Sequence, residues 1–288
     1  MTAETKPIGW ICETCGTQYE PGAEPPEACP VCEDERQYVG WAGQRWTTME
    51  ALGRKASVHF QEEEGVTTLS LRPAFGIDQR AFLIPDRGRN LMWECLSLVT
   101  PEAVAELESR GGVSCLAISH PHFYTSMVEW SDALGGVPIY VHEADRDWVR
   151  RPSARIRFWR GERLELSEDL VLLHLPGHFP GSAGLWWKRG PRSGGSLFPG
   201  DALQVVMDRR HVTFMYSYPN AIPLRTSAVR GLHRAVTPLQ FEDVFGFTRG
   251  RQIIGEGKAA VERSFTRYLA AVTDVESRGA APPSAPLG

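Results

Sequence analysis

Four cysteines near the start of the chain constrain its fold more than any other feature. Cys12, Cys15, Cys29 and Cys32 form the pattern Cys-x2-Cys-x13-Cys-x2-Cys. Two hairpin-like knuckles, each presenting two thiolates, close a tetrahedron around one metal ion. Gly16 follows the second cysteine and Pro30 lies inside the second knuckle, where tight turns need such residues. A fragment below about 40 residues usually needs a metal or disulfides to fold, so the metal expected here is structural. Cys95 and Cys115 sit singly among apolar neighbours and read as buried thiols.

The whole chain has 288 residues, 42% hydrophobic and 23% charged, enough to bury a sizeable core. A net charge of −4 argues against a protein built mainly to bind nucleic acid. No apolar run approaches the roughly 20 residues of a membrane helix. The first ten residues lack the apolar core of a secretory signal. The expectation is therefore a cytoplasmic chain in which thiols stay reduced. Residues 1–46 read as a metal-binding module and 47–274 as the main domain. The Pro-rich segment 275–288 reads as a disordered tail.

From about residue 57 the pattern is one of short strands, including 66–71, 81–85, 115–119, 137–142, 170–176, 182–188, 196–201 and 241–247. Helices are expected over 101–110, from a Ser126/Glu129 capping box onward, near 224–236 and at 257–273. Residues 205–223 read as a long connector with alternating aromatics. Trp186 and Trp187 are adjacent on a strand and so face opposite sides, one toward the core and one toward a helix.

Three histidines and an aspartate lie where strands give way to loops. His120 and His122 follow the 115–119 strand, His178 lies in Pro-Gly-His-Phe-Pro-Gly-Ser, and Asp201 ends Phe-Pro-Gly-Asp. Three imidazoles and one carboxylate at strand ends can converge on one metal. His142 and His174 read as structural, stabilising a turn and a strand. Residues 146–163 carry seven arginines and two acids, read as a solvated, ion-paired face.

Over roughly residues 57–270 the order and spacing of these motifs resemble the metallo-β-lactamase superfamily. That resemblance implies a four-layer αββα sandwich, an α+β or α/β arrangement with a metal site at one edge. The amino-terminal module is similar to rubredoxin-like or zinc-ribbon knuckles fused to other domains. The family's first motif is His-x-His-x-Asp-His, whereas this chain has Tyr124 and Thr125 at the last two positions. The final family histidine falls near Gly246-Phe247-Thr248, where this chain has none. The ligands implied for one metal site, His120, His122 and His178, are all present. Of those implied for a second site, Asp201 alone remains. One histidine-type site is therefore expected, with zinc there and in the cysteine knuckle, iron being the alternative in either. Asp201 would complete the site or handle a proton, and Tyr124 would donate to a developing oxyanion.

The expected activity is hydrolysis of a small ester or thioester. The alternatives are a degenerate binding protein, or a mononuclear iron dioxygenase of persulfide type using His120, His178 and Asp201. A small-molecule substrate is the expected partner, with no membrane or nucleic acid. The sequence leaves a homo-oligomer open.

Overall fold

The computed structural model describes residues 8–273. The expected tail, 275–288, lies outside the described residues. No helix among the described residues is long and apolar enough to cross a membrane.

Two sheets pack face to face. The first has seven strands in the order Ser57–Glu63, Val66–Arg72, Ala81–Asp86, Arg89–Trp93, Val113–Ala117, Ile139–His142 and Ile156–Trp159. Its first four strands are an antiparallel meander, and its last three join in parallel through helical crossovers. The second sheet runs Arg163–Glu165, Leu170–His174, Ala183–Trp187, Ser196–Phe198, Asp243–Phe245 and Gln252–Ile253.

Strand alternation sorts the apolar residues into three layers. Phe82, Ile84, Leu91 and Trp93 of the first sheet meet Leu170, Leu172, Leu185 and Phe198 of the second. Leu83 and Met92 face the other way, under the helices Pro101–Ser109 and Met127–Ala133. Val171 and Leu173 face the helices Thr226–Val236 and Gly257–Val272. The result is the expected αββα sandwich. Trp187 enters the inter-sheet core, while Trp186 packs on the helical side and donates to the Gln240 carbonyl at 2.9 Å.

Two expectations change in detail. The 127–133 helix begins after Ser126, but Ser126 makes no capping bond. Its hydroxyl donates instead to the Ser97 carbonyl at 2.8 Å, and Glu129 pairs with Arg151. The capping box yields to two tertiary contacts. The 205–223 connector is built from two short hairpins, Gln204–Val205 with Val212–Thr213 and Met215–Ser217 with Ile222–Pro223.

The cysteine module is joined to the sandwich along one side. Trp10–Cys12 pairs with Trp46–Thr48, so its small sheet closes across the 46/47 boundary. The Gln18 amide donates to the Thr125 carbonyl at 3.0 Å and the Glu20 amide to the Arg150 carbonyl at 3.2 Å. Gly16 has φ +81°, and a side chain there would meet the Ser97 hydroxyl at 2.3 Å. Only glycine allows both that turn and that approach.

Candidate metal centre

Each site residue sits where a strand stops. After Val113–Ala117 the chain reaches His120, and a single 3-10 turn, Pro121–Phe123, follows. That turn sets the rings of His120 and His122 5.1 Å apart. His178 stands on the loop between Leu170–His174 and Ala183–Trp187. Asp201 follows Ser196–Phe198 by way of Pro199 and Gly200. Gly200 has φ +54°, and a Cβ there would lie 2.6 Å from Ser119. The Gly-Asp pair is thus a requirement of the turn.

One ligand atom from each of His120, His122, His178 and Asp201 lies within 4.8 Å of the other three. Asp201 Oδ2 is 3.6 Å from both His120 Nε2 and His178 Nε2, and His122 Nδ1 is 3.2 Å from His178 Nε2. Zinc–nitrogen bonds of about 2.0–2.1 Å in a tetrahedron put neighbouring ligands about 3.3 Å apart, so these side chains fit a metal.

Their polar surroundings agree. His178 Nδ1 donates to the Tyr216 carbonyl at 2.8 Å, which makes Nε2 the unprotonated nitrogen that carries the lone pair. The His120 Nδ1 lies 2.7 Å from the Ser119 hydroxyl, and its Nε2 has no partner. Asp201 Oδ1 is buried and unpaired as well. Burial, with the Arg36 charge adding to it, pushes His120 down to about 3. Burial, reinforced by His120, pushes His178 down to about 4. Neutral imidazoles are metal ligands, so the 3.6 Å approaches to Asp201 are not ion pairs. Burial raises Asp201 to about 6 against the pull of His178.

The four cysteines form a second group. Cys12 and Cys32 sulfurs are 3.6 Å apart, and those of Cys15 and Cys29 are 3.7 Å apart. Metal–sulfur bonds of about 2.3 Å in a tetrahedron give about 3.8 Å. Tyr19 Oη donates to Cys29 Sγ at 3.1 Å and Gln44 Nε2 to Cys12 Sγ at 3.2 Å. Both groups are metal-binding arrangements.

Tyr124 is not among the residues that line the cavity. Tyr124 caps the 3-10 turn, is buried, and belongs to the apolar cluster of the first sheet with Cys95, Phe123 and Met127. Burial there, beside Asp145 and Glu94, holds its hydroxyl proton well above the usual phenol range. Thr125 hydrogen-bonds the Cys95 thiol at 3.0 Å. Phe247, near the place of the family's final histidine, lines the cavity.

Two residues beside the histidine group were not expected. Arg36, from the cysteine module, lines the cavity of about 220 Å³ that opens on His122, His178 and Asp201. Glu94, at the end of Arg89–Trp93, accepts the Ser119 amide at 3.1 Å, one residue before His120. Its sequence signal was a lone carboxylate closing the apolar run Asn-Leu-Met-Trp-Glu. Arg36 offered none.

His142 and His174 make structural contacts, and three of the seven arginines of 146–163 are ion-paired. His142 Nδ1 accepts the Ala144 amide at 3.3 Å, and His174 Nε2 lies 2.8 Å from the Pro180 carbonyl. Arg146 and Arg160 pair with Glu143, and Arg151 with Glu129.

The fold and its histidine–aspartate edge place the chain among metallo-β-lactamase-fold proteins. The crystal structure of VMB-1 superposes with a TM-score of 0.56 at 10% identity, covering 75% of this chain and 99% of that one. The DIM-1 metallo-β-lactamase does so with a TM-score of 0.53 at 12% identity, over 75% of this chain and 98% of its own. No family model matches the chain. It belongs to the family of the uncharacterized protein YmaE of Bacillus subtilis (strain 168), with 41% identity over 266 residues, 91% of this chain and 96% of that protein.

Proposed function

We propose that the chain is a mononuclear metal-dependent hydrolase, with zinc in the histidine site, acting on a small ester- or thioester-type substrate. The observation that carries this reading is the convergence of three neutral imidazoles and one carboxylate at one buried edge of the sandwich. Zinc held there would lower the pKa of a bound water to about 7. His120, His122 and His178 would hold it, and Asp201 would complete the set or accept a proton. Tyr218 steadies Asp201 by donating to its backbone carbonyl at 2.9 Å.

The cavity supports a small substrate. Its volume of about 220 Å³ is below the roughly 300–1,000 Å³ of sites for drug-sized ligands. Phe247, Ile77 and Pro219 give it apolar walls, and Thr14, Gln37 and Tyr38 give it polar ones. A second zinc in the four-cysteine knuckle would be structural.

The test is metal analysis followed by a panel of small esters and thioesters. His120→Ala and His178→Ala should each lower kcat/KM at least about 100-fold, the loss typical when one key electrostatic group is removed. Unchanged turnover in both variants would sink the reading.

A further inference from the structure

Arg36 follows the second cysteine knuckle by four residues and is almost fully buried, yet it reaches the loop of His178. Its Nε and Nη2 donate to the two oxygens of Asp34, at 2.6 and 2.8 Å. Its Nη1 donates to the backbone carbonyl of His178 at 3.1 Å. The guanidinium lies over the ring of Phe179 with its carbon 3.8 Å from the centroid. Asp34 thus fixes the fork, and the fork grips His178 and its neighbour.

The same segment is held from its other side. Asn220 Nδ2 donates to the carbonyls of Glu35 and Gln37, at 2.8 and 3.1 Å. Asn220 lies beyond the strand Met215–Ser217, whose Tyr216 carbonyl accepts a hydrogen bond from His178 Nδ1. Residues 34–37 therefore bridge the two loops that set the orientation of His178. Their own position depends on the cysteine cluster, because the helix Pro30–Glu33 contains Cys32 and ends at Asp34.

We propose that Arg36 is a positioning residue for the histidine site, through which the metal-held cysteine module fixes His178. This inference rests on the histidine site being a metal site, as proposed above. Groups behind a metal ligand typically alter metal affinity 10–100-fold when removed. A guanidinium held by a bidentate carboxylate is a rigid support, and lysine cannot reproduce the fork.

Cobalt(II) reconstitution of the full chain tests it. Thiolate-to-cobalt charge-transfer bands report the cysteine site. The remaining cobalt, followed by its d–d difference spectrum and by chelator competition, reports the histidine site. Arg36→Ala should weaken the histidine-site cobalt about tenfold and change its d–d bands, with the thiolate bands intact. Arg36→Lys should fall between it and the wild type. Unchanged affinity and bands in Arg36→Ala would overturn the inference and leave the hydrolase reading standing. A wild-type chain that takes cobalt on its thiolates alone would overturn both. If Arg36→Ala loses the thiolate bands too, Asp34→Asn decides. It keeps the cation and loosens the fork, and a histidine-site affinity equal to the wild type would then refute the positioning role.

Discussion

Glu94 illustrates how a single buried carboxyl can oppose the fold that holds it. It has φ +63°, in the left-handed region that residues other than glycine rarely adopt, and one of its oxygens has no partner. Burial raises its pKa to about 8, against the pull of the Ser119 bonds. Folded Glu94 thus binds its proton more tightly than the unfolded chain, whose value is about 4.3. Its protonated form contributes stability that is fully present below that value and is lost as pH rises toward about 8. Glu94→Gln, which cannot ionise, should gain stability relative to the wild type as pH rises through this window. Thermal melts of both proteins at pH 5 and pH 8 check this, and a melting-point difference that shrinks with rising pH would contradict it. Gly200 makes a complementary case. Alanine there would collide with Ser119, the hydroxyl partner of His120. Gly200→Ala should weaken metal binding at the histidine site without altering the cysteine site, as cobalt titration would show.

At the scale of elements, the strands visible in the sequence were those with either an alternating stretch, as at 66–71, or a short apolar run, as at 81–85. Phe82 and Ile84 face the second sheet while Ala81 and Leu83 face the helices, so both faces of the strand are buried, as its unbroken apolar run implies. The hairpins within 204–223 have strands of two or three residues, too short for a period to show. The site motifs were readable because each ends a strand. The orientation of Tyr124 was not, since it is set by one 3-10 turn. Arg36 lay beyond reach for another reason. Its partner His178 is 142 positions away, and a lone arginine in a polar loop has no periodicity.

Arg80 is a similar hidden tie between elements. It bonds Glu63 at 2.5 Å and twice reaches the Gly246 carbonyl, at 3.0 and 2.7 Å. Arg80→Met should cost up to about 3–5 kcal/mol, because the Glu63 carboxylate, only 9% exposed at its side chain, loses its cation. Arg80→Met combined with Glu63→Leu should recover most of that loss in urea denaturation. A double variant as unstable as the single one would show that the Gly246 bonds, and not the ion pair, carry the tie.

On the scale of the whole molecule, the cysteine module and the sandwich share one cavity. Thr14, Arg36, Gln37 and Tyr38 come from the module; His122, His178 and Asp201 come from the sandwich. The sequence showed two metal motifs, but not that one forms a wall for the other. A four-cysteine module would fold with its metal, while the sandwich has three apolar layers of its own. Removing metal from the cysteines, by Cys29→Ser with Cys32→Ser, should expose residues 8–46 to limited proteolysis while the two sheets stay protected. Fragments cut first within the sandwich would argue against this division.

That shared wall decides the order in which the parts fail. Its floor belongs to the sandwich, with a large apolar interior, and its roof to a segment of about forty residues built around four cysteines. On heating, the roof should lift first. On the hydrolase reading, turnover should then cease several degrees below the loss of the bulk circular-dichroism signal, and return on cooling in the presence of zinc. The useful thermal range of this chain would then be set by its smallest part.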